Sequence, residues 1–156
     1  MKDSRQRAFL PPRLIALALC FLLPLPASAD APSFTSHLIT TSADALRSVY
    51  AADVDGDGDM DILSASAGDD KVAWYENDGS ESFTEHVIST SAAGVRSVYA
   101  ADMDGDGDMD VLSASQTDNK VAWYENDGSE SFTEHVISTS ANGAMSVHAA
   151  DLDGDG

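Results

Sequence analysis

Cysteine is nearly missing from this chain: its 156 residues contain one, Cys20. Positive charge is scarce too, with 8 Lys and Arg against 27 Asp and Glu and a formal net charge of -19. The first scarcity excludes a disulfide framework. The second argues against nucleic acid or an anionic membrane surface as partner. Strong acidity can also mean disorder. Here Val, Ile, Leu, Phe, Tyr and Trp return at fixed places, which argues for a packed fold. No Ser/His/Asp signature or nucleophile elbow surrounds the many serines. No phosphate-cradling loop occurs either, because the only Gly-x-Gly stretches are flanked by aspartates that would repel a phosphate.

Residues 1–29 read as a secretory signal peptide. Lys2, Arg5, Arg7 and Arg13 give a basic start, and Leu14 to Leu25 is an apolar stretch too short to span a bilayer comfortably. Ala27-Ser28-Ala29 supplies the small residues of a cleavage site before Asp30; the alternative is an uncleaved anchor. Leu19 before Cys20 disfavours lipidation, and no adjacent arginine pair points to twin-arginine export. Cleavage places the protein outside the cytoplasm, as a secreted, cell-surface or periplasmic chain. The mature chain then has no cysteine and no membrane span. It keeps Arg47, Lys71, Arg96 and Lys120 as its cations, at a formal charge of -22 after four cations and one acid are lost. A loop-rich chain without disulfides needs another staple, and bound metal is the natural one.

The region 30–156 is repetitive. Residues 33–81 and 82–130 are identical at 38 of 49 positions, and residues 131–156 match 82–107 at 21 of 26. A period of this length marks propellers, solenoids and arrays. Leu38/Val87, Leu46/Val95 and Ile62/Val111 exchange one aliphatic for another, as core positions do. Ala67–Asp70 and Gln116–Asn119 differ in size and polarity, as expected of a free, exposed turn.

One repeat predicts four short strands: Arg96–Ala101, Asp110–Ser115, Lys120–Asn126 and Phe132–Ser138. Asn126-Asp127-Gly128 predicts a tight turn between the last two. Val121 and Trp123 on one face, with Ala122 and Tyr124 on the other, make a sheet that must be sandwiched between neighbours. The expected fold is therefore all-β, built of β-propeller blades of four antiparallel strands, with about two and a half blades present. A β-solenoid is the alternative. Since a propeller closes with about 4–8 blades, the chain reads as a fragment of a larger propeller, with further blades or domains expected in the parent. Closure by self-association is the other option.

Each repeat also carries an aspartate loop. Asp53, Asp55, Asp57, Asp59 and Asp61 recur as Asp102, Asp104, Asp106, Asp108 and Asp110, and the pattern begins again at Asp151, Asp153 and Asp155. Five carboxylates in nine residues suit a hard cation with oxygen ligands, and calcium takes about 6–8 of these. Alternate side chains Asp53, Asp55 and Asp57 would point inward, Gly58 would allow the bend, Asp59 would offer its carbonyl, and Asp61 would close the site. An EF-hand needs a glutamate at its twelfth position, where Ser64 and Ser113 stand, and flanking helices. RTX repeats need recurring Gly-Gly pairs, which are absent. Magnesium rarely fills an all-protein cage. The calcium is expected to be structural.

The aspartate loop after an Ala-Ala strand end, then Val121-Ala122-Trp123-Tyr124-Glu125-Asn126-Asp127-Gly128 and Ser131-Phe132-Thr133, resembles the FG-GAP-like or VCBS repeat of bacterial secreted proteins. More distantly it is similar to the calcium-binding blades of integrin α-subunits, although the Phe-Gly and Gly-Ala-Pro signatures of that repeat are missing. The resemblance implies a β-propeller with calcium in the loop between the first two strands of a blade. It also implies a non-enzymatic role in adhesion or in recognition of an extracellular protein or polysaccharide, with the variable turns carrying specificity. The alternative is the propeller portion of a secreted polysaccharide lyase or dehydratase whose catalytic residues lie elsewhere. Trp74, Trp123, Tyr75 and Tyr124 are expected in the inter-blade core rather than on a sugar-stacking surface. His37, His86 and His135 are expected to be hydrogen-bonded structural groups, and His148, in place of Tyr50 and Tyr99, reads as drift.

Overall fold

Lys-Val-Ala-Trp-Tyr-Glu-Asn occurs twice, and its β-branched and aromatic centre suits a pleated surface with partners on both sides. It forms the third strand of each of two sheets in the computed structural model, which describes residues 33–154. The strands are β1 (Leu46–Ala52), β2 (Asp61–Ser66), β3 (Lys71–Asn77), β4 (Phe83–Ser89), β5 (Val95–Ala101), β6 (Asp110–Ser115), β7 (Lys120–Asn126) and β8 (Phe132–Ser138). They form two four-stranded sheets, in the orders β1-β2-β3-β4 and β5-β6-β7-β8. Every neighbouring pair is antiparallel. The predicted blade of four antiparallel strands is what the chain builds, and the two sheets do not close into a ring. Among the described residues no helix is long and apolar enough to cross a membrane. The leader read at residues 1–29 lies outside the described residues.

Residues from Ser36 onward make up one unit, which holds all eight strands. Ser33–Thr35 belong to the preceding unit and have no regular secondary structure.

The sheets share one core. Leu63, Ala65, Val72 and Trp74 of the first meet Val95, Val98, Ala100, Val111, Ala122 and Tyr124 of the second. Strand parity explains the geometry, since alternate residues share a face. β3 contributes Val72 and Trp74, whereas the identical β7 contributes Ala122 and Tyr124. The sheets therefore pack front to back, with β5 against β1, β2 and β3. Both sheets carry the same irregularities: Arg47 and Arg96 are the extra residues where the β1–β2 and β5–β6 registers shift. Such bulges add local twist.

Two turn readings need correction. Asp78 and Asp127 do not open a tight two-residue turn. Five residues separate the strands, with Asp78 N donating to Ser82 O at 3.1 Å and Asp127 N to Ser131 O at 3.2 Å. Positive φ falls on Gly79 (73°) and Glu81 (64°), and again on Gly128 (72°) and Glu130 (61°). Asp78 Oδ1 also accepts the Ser80 and Ser82 amides, so the aspartate braces a longer loop from within.

The β2–β3 and β6–β7 turns, read as exposed, are half committed to the chain that follows the fourth strand of their own sheet. Asp70, at φ 55°, accepts the Ala92 amide on its carbonyl and the Gly94 amide on its Oδ1 at 2.8 Å. Asn119, at φ 56°, does the same for Ala141 and Gly143. Aspartate and asparagine tolerate this left-handed backbone, and both have the oxygen the latch needs. The substitutions around these turns are also coupled. A Cβ at Gly68 would lie 2.5 Å from the Asp44 carboxylate, and a Cβ at Gly94 would collide with Thr117. The first sheet thus combines Asp44, Ala45 and Gly68; the second combines Ala93, Gly94 and Thr117.

Candidate metal centre

The aspartate loops connect β1 to β2 and β5 to β6. Within the first loop the carboxylates are aimed by the loop's own amides. Asp53 accepts Gly56 N at 2.8 Å and Gly58 N at 3.0 Å, Asp55 accepts Asp57 N at 3.1 Å, and Asp57 accepts Asp59 N at 2.8 Å. The second loop repeats each bond: Asp102 to Gly105 and Gly107, Asp104 to Asp106, and Asp106 to Asp108. Gly58 and Gly107 sit at φ 97° and 100° with nothing near their missing Cβ atoms, so backbone conformation, not space, requires glycine there.

Oxygens of Asp53, Asp55 and Asp57 come within 4.8 Å of one another in the first loop; in the second the trio is Asp102, Asp104 and Asp110. Two unit charges about 4 Å apart repel by roughly 1 kcal/mol in water and about 4 kcal/mol near a protein surface. Burial, then the neighbouring carboxylates Asp61, Asp57 and Asp53, push Asp55 above the usual carboxylate range. Burial, then Asp106 and Asp110, do the same to Asp104. A divalent cation would relieve this repulsion.

The remaining acids are placed differently. Asp61 and Asp110 are fully buried. Asp61 accepts Val54 N at 2.9 Å and Asn77 N at 2.8 Å, and Asp110 accepts Met103 N and Asn126 N at 2.8 Å each. Each buried carboxylate therefore ties the loop entrance to the end of the third strand, which offsets part of its desolvation cost. Asp59 and Asp108 turn their carboxylates toward the β3–β4 and β7–β8 loops, where a Cβ on Gly79 or Gly128 would lie 2.5 Å away. Their backbone carbonyls remain as what they can offer a cation. In the third copy Asp151 Oδ1 accepts Asp153 N at 3.2 Å and Gly154 N at 2.7 Å, the second bond matching those of Gly56 and Gly105. Asp155 lies outside the described residues.

A family profile for the FG-GAP-like repeat matches residues 53–113 and again 102–156. The chain belongs to the FG-GAP-like repeat family. No curated protein matches it. Both matches open on the first aspartate of a loop, so the loops, β2 and β6 lie within the FG-GAP-like region. The chain is a β-propeller-type repeat protein, with two complete blades among the described residues.

Sequence reasoning missed how one FG-GAP-like blade holds the aspartate loop of its neighbour. Asn126, buried at the end of β7, donates to its own loop at Met109 O and to the first blade's loop at Val54 O, both at 3.2 Å. Asn77 makes the first kind of bond, to Met60 O at 3.2 Å. The invariance of this Asn across the two copies was the available signal. The first strands are linked as well. Tyr50 and Tyr99 rings lie 4.8 Å apart, and Tyr99 and His148 4.4 Å apart. His148 therefore keeps an aromatic ladder going and is not mere drift. Beside the ladder, an open groove of about 590 Å³ runs between the two loops, lined by Asp53, Gly56, Tyr99, Asp102 and Met109 among others.

Proposed function

We propose that this FG-GAP-like protein is an extracellular recognition or adhesion module whose blades are stabilised by structural calcium. The observation that carries the calcium reading is the convergence of three carboxylates in each complete loop, with the first and third positions of the repeat (Asp53 and Asp55, Asp102 and Asp104) common to both. Asp53, Asp55 and Asp57 would hold one ion, with Asp61 and the Asp59 carbonyl beside them. Asp102, Asp104, Asp106 and Asp110 would hold the second, with the Asp108 carbonyl, and Asp151, Asp153 and Asp155 begin a third set. Bound calcium would supply positive charge that lets these carboxylates approach; the loops supply orientation, because their amides hold at least one oxygen of Asp53, Asp55 and Asp57 and of Asp102, Asp104 and Asp106. The scarcity of cations and the acidic groove suit a ligand that presents neutral hydroxyls or positive charge. A protein or polysaccharide outside the cell, reached through the signal peptide, fits that chemistry.

Calorimetric titration with calcium, with melting followed by circular dichroism, tests the reading. Extracellular modules bind with dissociation constants of about 10⁻⁴–10⁻³ M, so millimolar calcium should add roughly 0.4–1.4 kcal/mol per site. Heat from about two sites per chain, with a raised melting point, supports it. A flat titration at millimolar calcium removes the metal from the account.

A further inference from the structure

A second cluster of ligating groups lies away from the aspartate loops, at the junction of the two blades. Glu76 is on β3, His86 on β4 and Glu130 on the β7–β8 loop of the second sheet, and one ligand atom from each comes within 4.8 Å of the other two. His86 Nε2 is 2.8 Å from Glu76 Oε2. The imidazole stacks on Trp74 with ring centres 4.5 Å apart and planes 25° apart, which fixes its orientation. Glu130, on a left-handed backbone at φ 61°, brings a carboxylate oxygen within 4.8 Å of the imidazole. The corresponding Glu81, at φ 64°, pairs with His37 Nδ1 at 2.9 Å, so each glutamate lies beside the histidine at the same place in the repeat.

We propose that Glu76, His86 and Glu130 form a zinc-type divalent transition-metal site that pins the first blade to the second. Imidazole nitrogen with carboxylate oxygen is a ligand set for such a cation and not for calcium. Zinc binds these atoms at about 2.0–2.2 Å, which puts neighbouring ligands of a tetrahedron about 3.3–3.6 Å apart. The observed 2.8 Å pair within a 4.8 Å cluster brackets that spacing and asks for side-chain shifts only. Three protein ligands leave a fourth position for water. The half-buried His86 and the exposed Glu130 leave the ion a path from solvent. A hydrogen bond between Glu76 and His86 alone does not account for a second carboxylate brought to the same ring from another sheet.

The repeat provides its own control. His135 pairs with Glu125 at 2.5 Å and stacks on Trp123, but among the described residues no third ligating group joins them. The test is calorimetric titration of the full chain with zinc chloride under saturating calcium, which occupies the aspartate loops, with tryptophan emission recorded in parallel. One zinc per chain is expected, with a change in emission from Trp74. His86→Asn and Glu130→Gln should each weaken binding by more than the roughly 10–100-fold typical of losing an outer-shell group, whereas His135→Asn should leave it intact. Glu130 is on an exposed loop, so its variant tests the site even if His86→Asn disturbs packing on Trp74. Absence of zinc uptake by the native chain, or uptake that survives both His86→Asn and Glu130→Gln, overturns the proposal and leaves a hydrogen-bonded histidine.

Discussion

β3 and β7 have the same seven residues and different surroundings. In β3 the run Val72, Ala73, Trp74 and Tyr75 is buried throughout; in β7 burial alternates, with Ala122 and Tyr124 covered and Val121 and Trp123 only half covered. The first sheet has the second on one face, and His37, Ile39 and Leu46 flank Tyr75 on the other. The second sheet has the first on its Ala122/Tyr124 face, while the segment around Ala141–His148 lies over the other. One sequence thus yields a fully sandwiched blade and a partly covered one. Burial in a repeat protein belongs to the neighbour as much as to the repeat.

The sharpest way to break this comparison is to truncate the two tryptophans. Trp74→Ala should cost about 3–5 kcal/mol, as buried aromatics do, and Trp123→Ala roughly half of that or less. Urea unfolding of both variants measures the difference; equal losses would mean that the second blade is as well covered as the first. Next comes the coupled turn. Gly94→Ala puts a side chain at φ 63° against Thr117 and should cost about 1–2 kcal/mol. Adding Thr117→Gly, which recreates the first blade's pairing of Ala45 with Gly68, should recover part of it in a double-mutant cycle. Strict additivity would show that the two blades' turns vary independently after all.

Smaller effects separate the asparagines. Asn126→Ala loses a bond between blades that Asn77→Ala does not, so it should cost about 1 kcal/mol more. Thermal melts in calcium should rank them in that order, and equal melts would demote the contact between blades. Smallest is a pH effect. The hydrogen bond from Lys71 holds Glu85 below the usual glutamate range and, reciprocally, raises Lys71. The stability from Glu85 is present above its unfolded value of about 4.5. It is lost as pH falls through the lower folded value, by roughly 1 kcal/mol or less at this partly exposed site. Asp55 and Asp104 are raised and act with the opposite sign. Their ionised forms destabilise the loops, and that penalty fades as acid protonates them. Melting points against pH for the native chain and Glu85→Gln, with and without calcium, should show the two slopes; a Glu85→Gln curve parallel to the native one at acid pH would remove the first.

Strand existence, order and type were legible because β-branched and aromatic runs alternate with Gly, Asp and Asn at a fixed period. β6, β7 and β8 have the bounds expected, and β5 begins one residue earlier, at Val95. The loop aspartates were legible as candidate ligands because spacing in a short loop is local information. The β3–β4 turn was misread because Asp-Gly signals positive φ without fixing loop length, which Asp78 sets through the Ser80 and Ser82 amides. The β2–β3 turn was misread because variability looks the same whether a position is free or compensated by a neighbour in space. Asp70 and Asn119 differ in charge and share the one oxygen that matters.

By itself the sequence determined the four-strand unit, its repetition, and the acid loop that each unit carries, because backbone preference, face alternation and close spacing are properties of a few adjacent residues. Only the tertiary structure decided which face of each sheet is covered, which Asn reaches the preceding blade's loop, and that Glu130 comes near His86. These contacts join residues 44 to 72 positions apart in the sequence, and no local pattern specifies a partner that distance in space alone supplies.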